Sequence, residues 1–328
     1  MDAYLDHLEE LIIPEKLSTL YIGGGTPTFL SGPQLSRLIK ILREKFTFTE
    51  DAELSIEANP ESLDEKKVSC LREFFTRISL GVQSFNRDLR ERIGRQCSDE
   101  ALQMAVKLIR EAKFRHWNCD LIYSLPDETP ADWERDLHCA GETGADHISC
   151  YSLTPERTAL LGQNFEVDDE RELKMYNSAG KILSEYGMSR YEISNYAAPG
   201  ARCCHNVNVW RGGLLRGYGP GAADFDGFDR HIEVESVDGW LNYEKCSCDH
   251  ITHEARLNEI FAVNLRTVDG WTPELWKVVP GADAWEKRLQ IAAKAAAYFP
   301  GSLQISASGI KLSADGLLFW NEIAAELL

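Results

Sequence analysis

The stretch "STLYIGGGTPTFLSGPQLSRLIKILREKF", Ser18 to Phe46, passes from a short apolar run through three consecutive glycines into apolar residues at helical spacing, Leu35, Leu38, Ile39 and Leu42. A strand, a turn and an amphipathic helix follow from that order. Three adjacent glycines cost roughly 0.5–1 kcal/mol each relative to alanine in a regular element. They mark either a close approach of bare backbone to a ligand, which would draw on Gly24, Gly25 and the neighbouring Thr26, or a turn that needs permissive dihedrals.

The same order recurs as far as Tyr196. The β-type runs "ELSIEANP", "RISLGVQS", "NCDLIYSLP", "DHISCYSLTP" and "RYEISNYA" alternate with helical stretches such as "DEKKVSCLREFF", "DEALQMAVKLIREAKF" and "TPADWERDLHCAGETG". This predicts an α/β fold with a parallel sheet or barrel, whose strands present a ligand at their carboxyl ends. Polar and turn residues fall at those ends: Gly23 to Thr26, Glu57 to Asn59, Gln83 with Ser84, and Asp120 with the "SLPDET" turn. Glu57 can accept hydrogen bonds from a ribose or an ammonium group, and Asp120 from a hydroxyl. Taken singly, Glu57 could equally cap a turn and Asp120 cap a helix.

Beyond Tyr196 the rhythm stops, and "NYAAPGARCCHNVNVWRGGLLRGYGPGAADFDGFDRH" is rich in Gly, Asn and aromatic residues. From Ala255 the pattern reads helix, helix, hairpin, helix. The expected division is 1–195 for the α/β part, 196–254 for an irregular connecting segment, and 255–328 for a C-terminal winged-helix-like domain suited to packing or docking.

With 328 residues and 44% apolar content the chain can bury a large core, and its formal charge of −17 offers no basic stripe for a phosphate backbone. No nucleic-acid partner is expected. The apolar runs are too short to span a bilayer and the first residues lack a basic start before an apolar core, which predicts a cytoplasmic protein without a transmembrane segment. The nine cysteines, an odd number, fit free thiols in a reducing compartment.

In this order, "GGGTPTFLS", "SIEANPESL", "RISLGVQSFN", "NCDLIYSLPDETP", "HISCYSLTPE" and "YEISNYAAPG" resemble the radical S-adenosylmethionine family of oxygen-independent coproporphyrinogen III oxidase and its relative, the bacterial haem chaperone. The resemblance extends to the tail "LSADGLLFWNEIAAELL", and "HNVNVWRGGLLRGYGPGAADF" is closer to the chaperone branch. It implies a partial (β/α)6-type barrel missing its first strand, followed by a helical winged-helix-like appendage. It implies S-adenosylmethionine as cofactor, with Gly24 and Glu57 around the cluster-bound nucleotide, Gly24 and Gly25 bringing bare backbone against the methionine moiety with Thr26 beside it, and Gln83, Arg95 and Asp120 around a second adenosyl-sized pocket, where Arg95 would reach a ligand carboxylate or else lie in solvent. It implies haem, held through His205 with Cys204 as a rival ligand, and delivery of that haem to an acceptor protein. The alternatives it leaves are oxidative decarboxylation of coproporphyrinogen III in porphyrin biosynthesis, and a non-catalytic tetrapyrrole-binding module.

The chain also departs from the family pattern. In the family a CxxxCxxC motif upstream of GGGTP holds a [4Fe–4S] cluster, and here no cysteine precedes Cys70. The expectation is that the first strand and cluster loop are absent, with Met1 opening the helix that follows them, either because the gene start lies further upstream or because the cluster was lost. Retention of the nucleotide residues favours the first account. Without those thiolates the cleavage of S-adenosylmethionine has no electron source, so radical chemistry is not expected. Val209 stands where the chaperone relatives carry the tyrosine of a His-Asn-x-x-Tyr signature, and Ala223-Asp224 where they tend to carry His-Ser. The run "CSCDHITH" brings metal-ligand types together at Cys246, Cys248, His250 and His253, at a spacing too cramped to favour a tetrahedral site.

Overall fold

The computed structural model describes residues 1–154 and 168–328 of the chain. They form two compact units, one of residues 14–190 with 194–202, the other of residues 1–13, 191–193 and 203–328. The first helix, α1 (Asp2–Leu11), therefore belongs to the second unit.

The first unit is α/β. Its parallel strands β1 (Glu15–Ile22), β2 (Phe46–Ala58), β3 (Arg77–Gln83), β4 (His116–Tyr123) and β5 (His147–Ser152) lie side by side in chain order. Between and after them come α2 (Gly32–Lys45), α3 (Glu65–Arg72), α4 (Arg87–Arg92), α5 (Asp99–Ala112), α6 (Pro130–Glu142) and α7 (Asp169–Glu185). The helix boundaries are written locally. The Ser98 side chain accepts from the Ala101 amide at the start of α5, and Lys113 ends it in the left-handed region at φ 54°. Thr129 and Asp132 cap α6 reciprocally around Pro130.

The expected strand "RYEISNYA" is instead two short pieces, β6 (Ser189–Arg190) and β7 (Asn195–Ala197), which close the sheet in the order β1-β2-β3-β4-β5-β7-β6 with β7 antiparallel to both neighbours. The residues between them leave the sheet because Glu192 is committed elsewhere: fully buried, it pairs with Arg266 at 2.8 Å within the second unit.

The two faces of this sheet differ completely. One carries Ile56, Ile78, Leu80, Trp117, Cys119, Leu121, Ile148 and Cys150, all buried. The other carries, in register, Tyr21 beside Ser55, Ser55 beside Arg77, Glu57 beside Ser79, Ser79 beside Asn118, and Asn118 beside His147. Parallel sheets covered on both faces read as continuous apolar runs. The strict alternation in "ELSIEA" and "RISLGVQ" reflects an interior face lined by polar side chains.

The second unit contains α8 (Cys204–Trp210), β8 (Ala223–Phe225), β9 (Asp229–Ile232), α9 (Val237–Leu241) and β10 (Ser247–His250), so the stretch expected as irregular holds two short helices and a three-stranded antiparallel sheet. After it come α10 (His253–Asn264), α11 (Pro273–Lys277), α12 (Trp285–Tyr298), the hairpin β11 (Leu303–Ser306) and β12 (Gly309–Leu312), α13 (Ala314–Leu318) and α14 (Trp320–Leu327). They enclose a core of Phe261, Leu265, Trp271, Trp276, Ile310 and Ile323. No helix of the described residues is long and apolar enough to cross a membrane.

The polar face of the larger sheet rests on a buried ion pair, Arg77 Nε to Glu53 Oε2 at 2.8 Å, whose guanidinium also donates to the carbonyls of Ala201 (2.7 Å) and Arg202 (3.1 Å). Removing one partner strands the other charge. Arg77→Ala should cost about 3–5 kcal/mol in urea unfolding, whereas Lys40→Ala, breaking an exposed pair with Glu44, should cost about 0–0.5 kcal/mol.

Candidate functional site

At the carboxyl ends of β1 to β5 the polar face opens into a cavity of about 260 Å³ lined by residues that include Gly25, Thr26, Glu57, Gln83, Arg95 and Asp120. Each of the three glycines before it has its own reason. A Cβ on Gly23 would fall 2.7 Å from Glu57 Oε1 and 2.7 Å from the Tyr21 ring; Gly24 has φ 81°; Gly25 borders the cavity, with open space where a Cβ would point. Gly23 thus permits the bond from the Tyr21 hydroxyl to Glu57 Oε1 at 2.8 Å.

The loop after β1 is tied to the loop after β2. Asn59 Nδ2 donates to Thr26 Oγ1 at 2.9 Å, and the Lys67 ammonium donates to the carbonyls of Thr28 (2.7 Å) and Ser62 (2.9 Å). The loop after β3 is held from below. Gln83 sits in the left-handed region at φ 69°, a strained position for a residue with a side chain. The next two residues are pinned by Asp136 of α6, which accepts from Ser84 Oγ (2.5 Å) and the Phe85 amide (2.9 Å), while burial pushes its carboxyl up to about 6. The buried Arg90 guanidinium donates to the carbonyls of Ser84 (2.8 Å) and Cys97 (3.1 Å) and to Asp99 (2.5 Å), closing the loop that carries Arg95.

The two carboxyl groups of the cavity are both raised. Burial pushes Glu57 above the usual carboxylate range and the Asp120 charge adds to it, while the Tyr21 hydroxyl and the Gly24 amide work the other way. Burial likewise raises Asp120, opposed by hydrogen bonds from Ser79 and Asn118. The Arg95 side chain supplies a positive charge in the lining.

The chain matches the model of the Radical SAM superfamily over residues 1–140. It is 37% identical over 210 residues to the heme chaperone HemW of Escherichia coli, an alignment covering 63% of this chain and 56% of that one. It is 31% identical over 291 residues to the HemW of Bacillus subtilis, covering 82% of this chain and 77% of that one. The chain belongs to the HemW family of the radical SAM superfamily. Among solved structures it resembles coproporphyrinogen III oxidase (HemN) from Escherichia coli, with a TM-score of 0.84 over 99% of this chain and 82% of that one at 23% identity, a likeness of fold. Its matches to the Escherichia coli and Mycobacterium tuberculosis HemW proteins span a little over half of their length.

The family implies S-adenosylmethionine and a [4Fe–4S] cluster. The cavity fits the first, since it joins bare backbone at Gly25, two carboxyl groups and a guanidinium. The described residues do not fit the second: no three His, Cys, Asp or Glu side chains among them are placed to hold a metal. The "CSCDHITH" residues do not converge either, because His250 binds Asp229 (2.5 Å) and His253 binds the Gly281 carbonyl (2.9 Å).

Both sets of residues that the resemblance assigned to separate pockets border this single space, and Gly24 reaches it only through Glu57. His205 is half-buried on α8 in the second unit and is not in the lining. Tyr21, Ser79 and Tyr151 also line the cavity and were not expected there, while Asn59 was expected only as a turn residue at a strand end. Period-2 counting back from Glu57 and Asp120 along their strands, and across to neighbouring strands, was the available signal.

Since the Tyr21 hydroxyl bonds the charged form of Glu57, Tyr21→Phe removes a stabiliser of the carboxylate. Glu57 should then titrate at a higher pH than in the parent protein, read from its carboxyl carbon by NMR; an unchanged titration would remove Tyr21 from the site's electrostatics.

Proposed function

We propose that the chain is a haem-binding protein of the chaperone type whose cavity takes the adenosyl group of S-adenosylmethionine. The observation that carries this is the convergence of Gly25, Thr26, Glu57, Gln83, Arg95 and Asp120, residues far apart in the chain, on one cavity. The ribose hydroxyls donate to the carboxylates of Glu57 and Asp120, and Arg95 meets the carboxylate of the methionine moiety. S-adenosylmethionine brings a cleavable sulfonium; the residues here hold and orient it.

Haem is assigned because the relatives are named heme chaperones. It is held through His205, with Cys204 as the rival ligand, and passed to an acceptor protein in a cytoplasmic setting. A neutral imidazole gives a lone pair to iron. Val209 offers no hydroxyl, so apolar contact must supply more of the hold. The C-terminal part, 255–328, serves as a winged-helix-like packing or docking appendage.

Calorimetry with S-adenosylhomocysteine should show binding that a Gly25→Val, Asp120→Ala double variant weakens at least tenfold, the loss of about one charged hydrogen bond or more; equal affinity in both proteins would sink the nucleoside assignment. In a titration with haem, His205→Ala should abolish the Soret shift and Val209→Tyr should tighten binding. An unchanged spectrum and affinity in His205→Ala would place the ligand elsewhere.

A further inference from the structure

Beneath the cavity lies a closed set of side chains to which no role has yet been given. Asn118 precedes Asp120 by two residues on β4, so both point to the polar face. Ser79 of β3 stands beside it on one side, and His147 and Ser149 of β5 on the other. Asn118 Nδ2 donates to Asp120 Oδ1 and to Ser79 Oγ, each at 2.7 Å, and Ser79 Oγ donates to Asp120 Oδ2 at 2.7 Å. Asn118 Oδ1 lies 2.6 Å from His147 Nδ1 and 3.2 Å from Ser149 Oγ. Asn118, Ser79, His147 and Ser149 are each more than nine-tenths buried.

Elementary hydrogen-bond chemistry orients the set. An ionised carboxylate only accepts, so the Asn118 atom facing Asp120 is its NH2 group. Its carbonyl oxygen then faces β5 and needs donors, so the His147 proton sits on Nδ1. Both protons of the Asn118 amide nitrogen and both lone pairs of its oxygen are used.

Building on the assignment of the cavity to a nucleoside, we infer that Asn118, seated by His147, is a positioning residue that holds Asp120 as an ionised acceptor aimed into the cavity, and so selects a ligand that offers a ribose hydroxyl there. Burial holds the His147 ring well below its ordinary titration range, so it stays neutral, with Arg77 and His116 acting in the same direction. The groups around Asp120 are the Glu57 carboxyl of β2, the Arg95 guanidinium after β3, and the thiols Cys119 and Cys150, which burial keeps protonated. None of these donates a hydrogen bond to Asp120; Ser79 and Asn118 do.

The test is Asn118→Asp in the full chain. The change keeps volume and an acceptor for His147 but turns the two donated bonds into a meeting of carboxylates. In the parent protein, adenosine affinity should fall as pH drops and Asp120 protonates. In the variant it should be at least tenfold weaker at pH 8 and recover toward pH 5, where one shared proton restores a donor, a slope of opposite sign. 2′,3′-Dideoxyadenosine, which lacks the hydroxyls, should bind both proteins alike. A variant that weakens both ligands equally with an unchanged pH slope would show a structural role only and overturn the inference. Should Asn118→Asp fail to fold, Ser79→Ala removes one donor without adding charge, and should weaken adenosine a few-fold while sparing the dideoxy analogue. Ligand-free NMR titration of the Asp120 carboxyl decides independently: an upward shift in either variant supports the positioning role, and no shift overturns it. If the parent protein does not bind adenosine at all, the nucleoside assignment fails while this titration still decides what Asn118 does.

Discussion

A buried polar side chain must be hydrogen-bonded, at a cost of about 1–3 kcal/mol for each one left bare, and one whole face of the larger sheet consists of such side chains. Glu53, Arg77, Ser79, Asn118, His147, Ser149 and Asn195 are all buried there. Their bonds run from strand to strand: Arg77 to Glu53, Ser79 to Asn118, Asn118 to His147. Sliding any strand by one residue would turn its polar set toward the helices and its apolar set into the interior. The register of five strands is therefore fixed by chemistry on both faces at once. Ser55 Oγ and Arg77 Nη1 are buried without a partner among the described residues, so the satisfaction of this face is near complete rather than total.

The site is where that satisfaction runs out. Low on the sheet the polar groups consume one another, and at the carboxyl ends Glu57 and Asp120 retain unused acceptor capacity facing a cavity. Two carboxyl groups against one guanidinium leave the lining short of positive charge. Under the nucleoside assignment a cationic ligand gains from this imbalance, since bringing positive charge near two carboxylates lowers both of their raised titration points. A sulfonium carries such a charge and a neutral thioether does not.

How much of this was legible follows from what periodicity can carry. The strand–helix alternation of "STLYIGGG" and "SGPQLSRLIKILREKF" gave the α/β class, because period 2 and period 3.6 are local properties. The motif ends gave Gly25, Thr26, Glu57, Gln83 and Asp120, because parallel strands bring their carboxyl ends to one side, whereas Arg95, beyond α4, came only from the family resemblance. The reversal at β6 and β7 was not legible. It depends on Glu192 finding Arg266 far along the chain, and no local pattern encodes a partner at that distance. Gly23, Gly24 and Gly25 looked alike as a run and act differently, since only the fold shows that the first makes room for Glu57, the second turns the chain and the third borders the cavity.

The helix that carries His205 is held in an unusual way. α8 has seven residues, no side-chain cap and no buried side chain, and a helix so short has little stability of its own. Its carboxyl end is fastened. Trp210 stacks on the Arg266 guanidinium, which lies 4.8 Å from that ring and 5.1 Å from Trp320 while pairing with the fully buried Glu192. The turn beyond it relies on Gly212, at φ 80° with Ile260 where a Cβ would go. The opposite end presents Cys204 exposed and His205 half-buried. Just before α8, Cys203 is buried and its amide donates to the Tyr191 hydroxyl at 3.4 Å. Under the haem assignment, the iron ligand therefore sits on a helix too short to hold itself, kept in place by what its two ends touch.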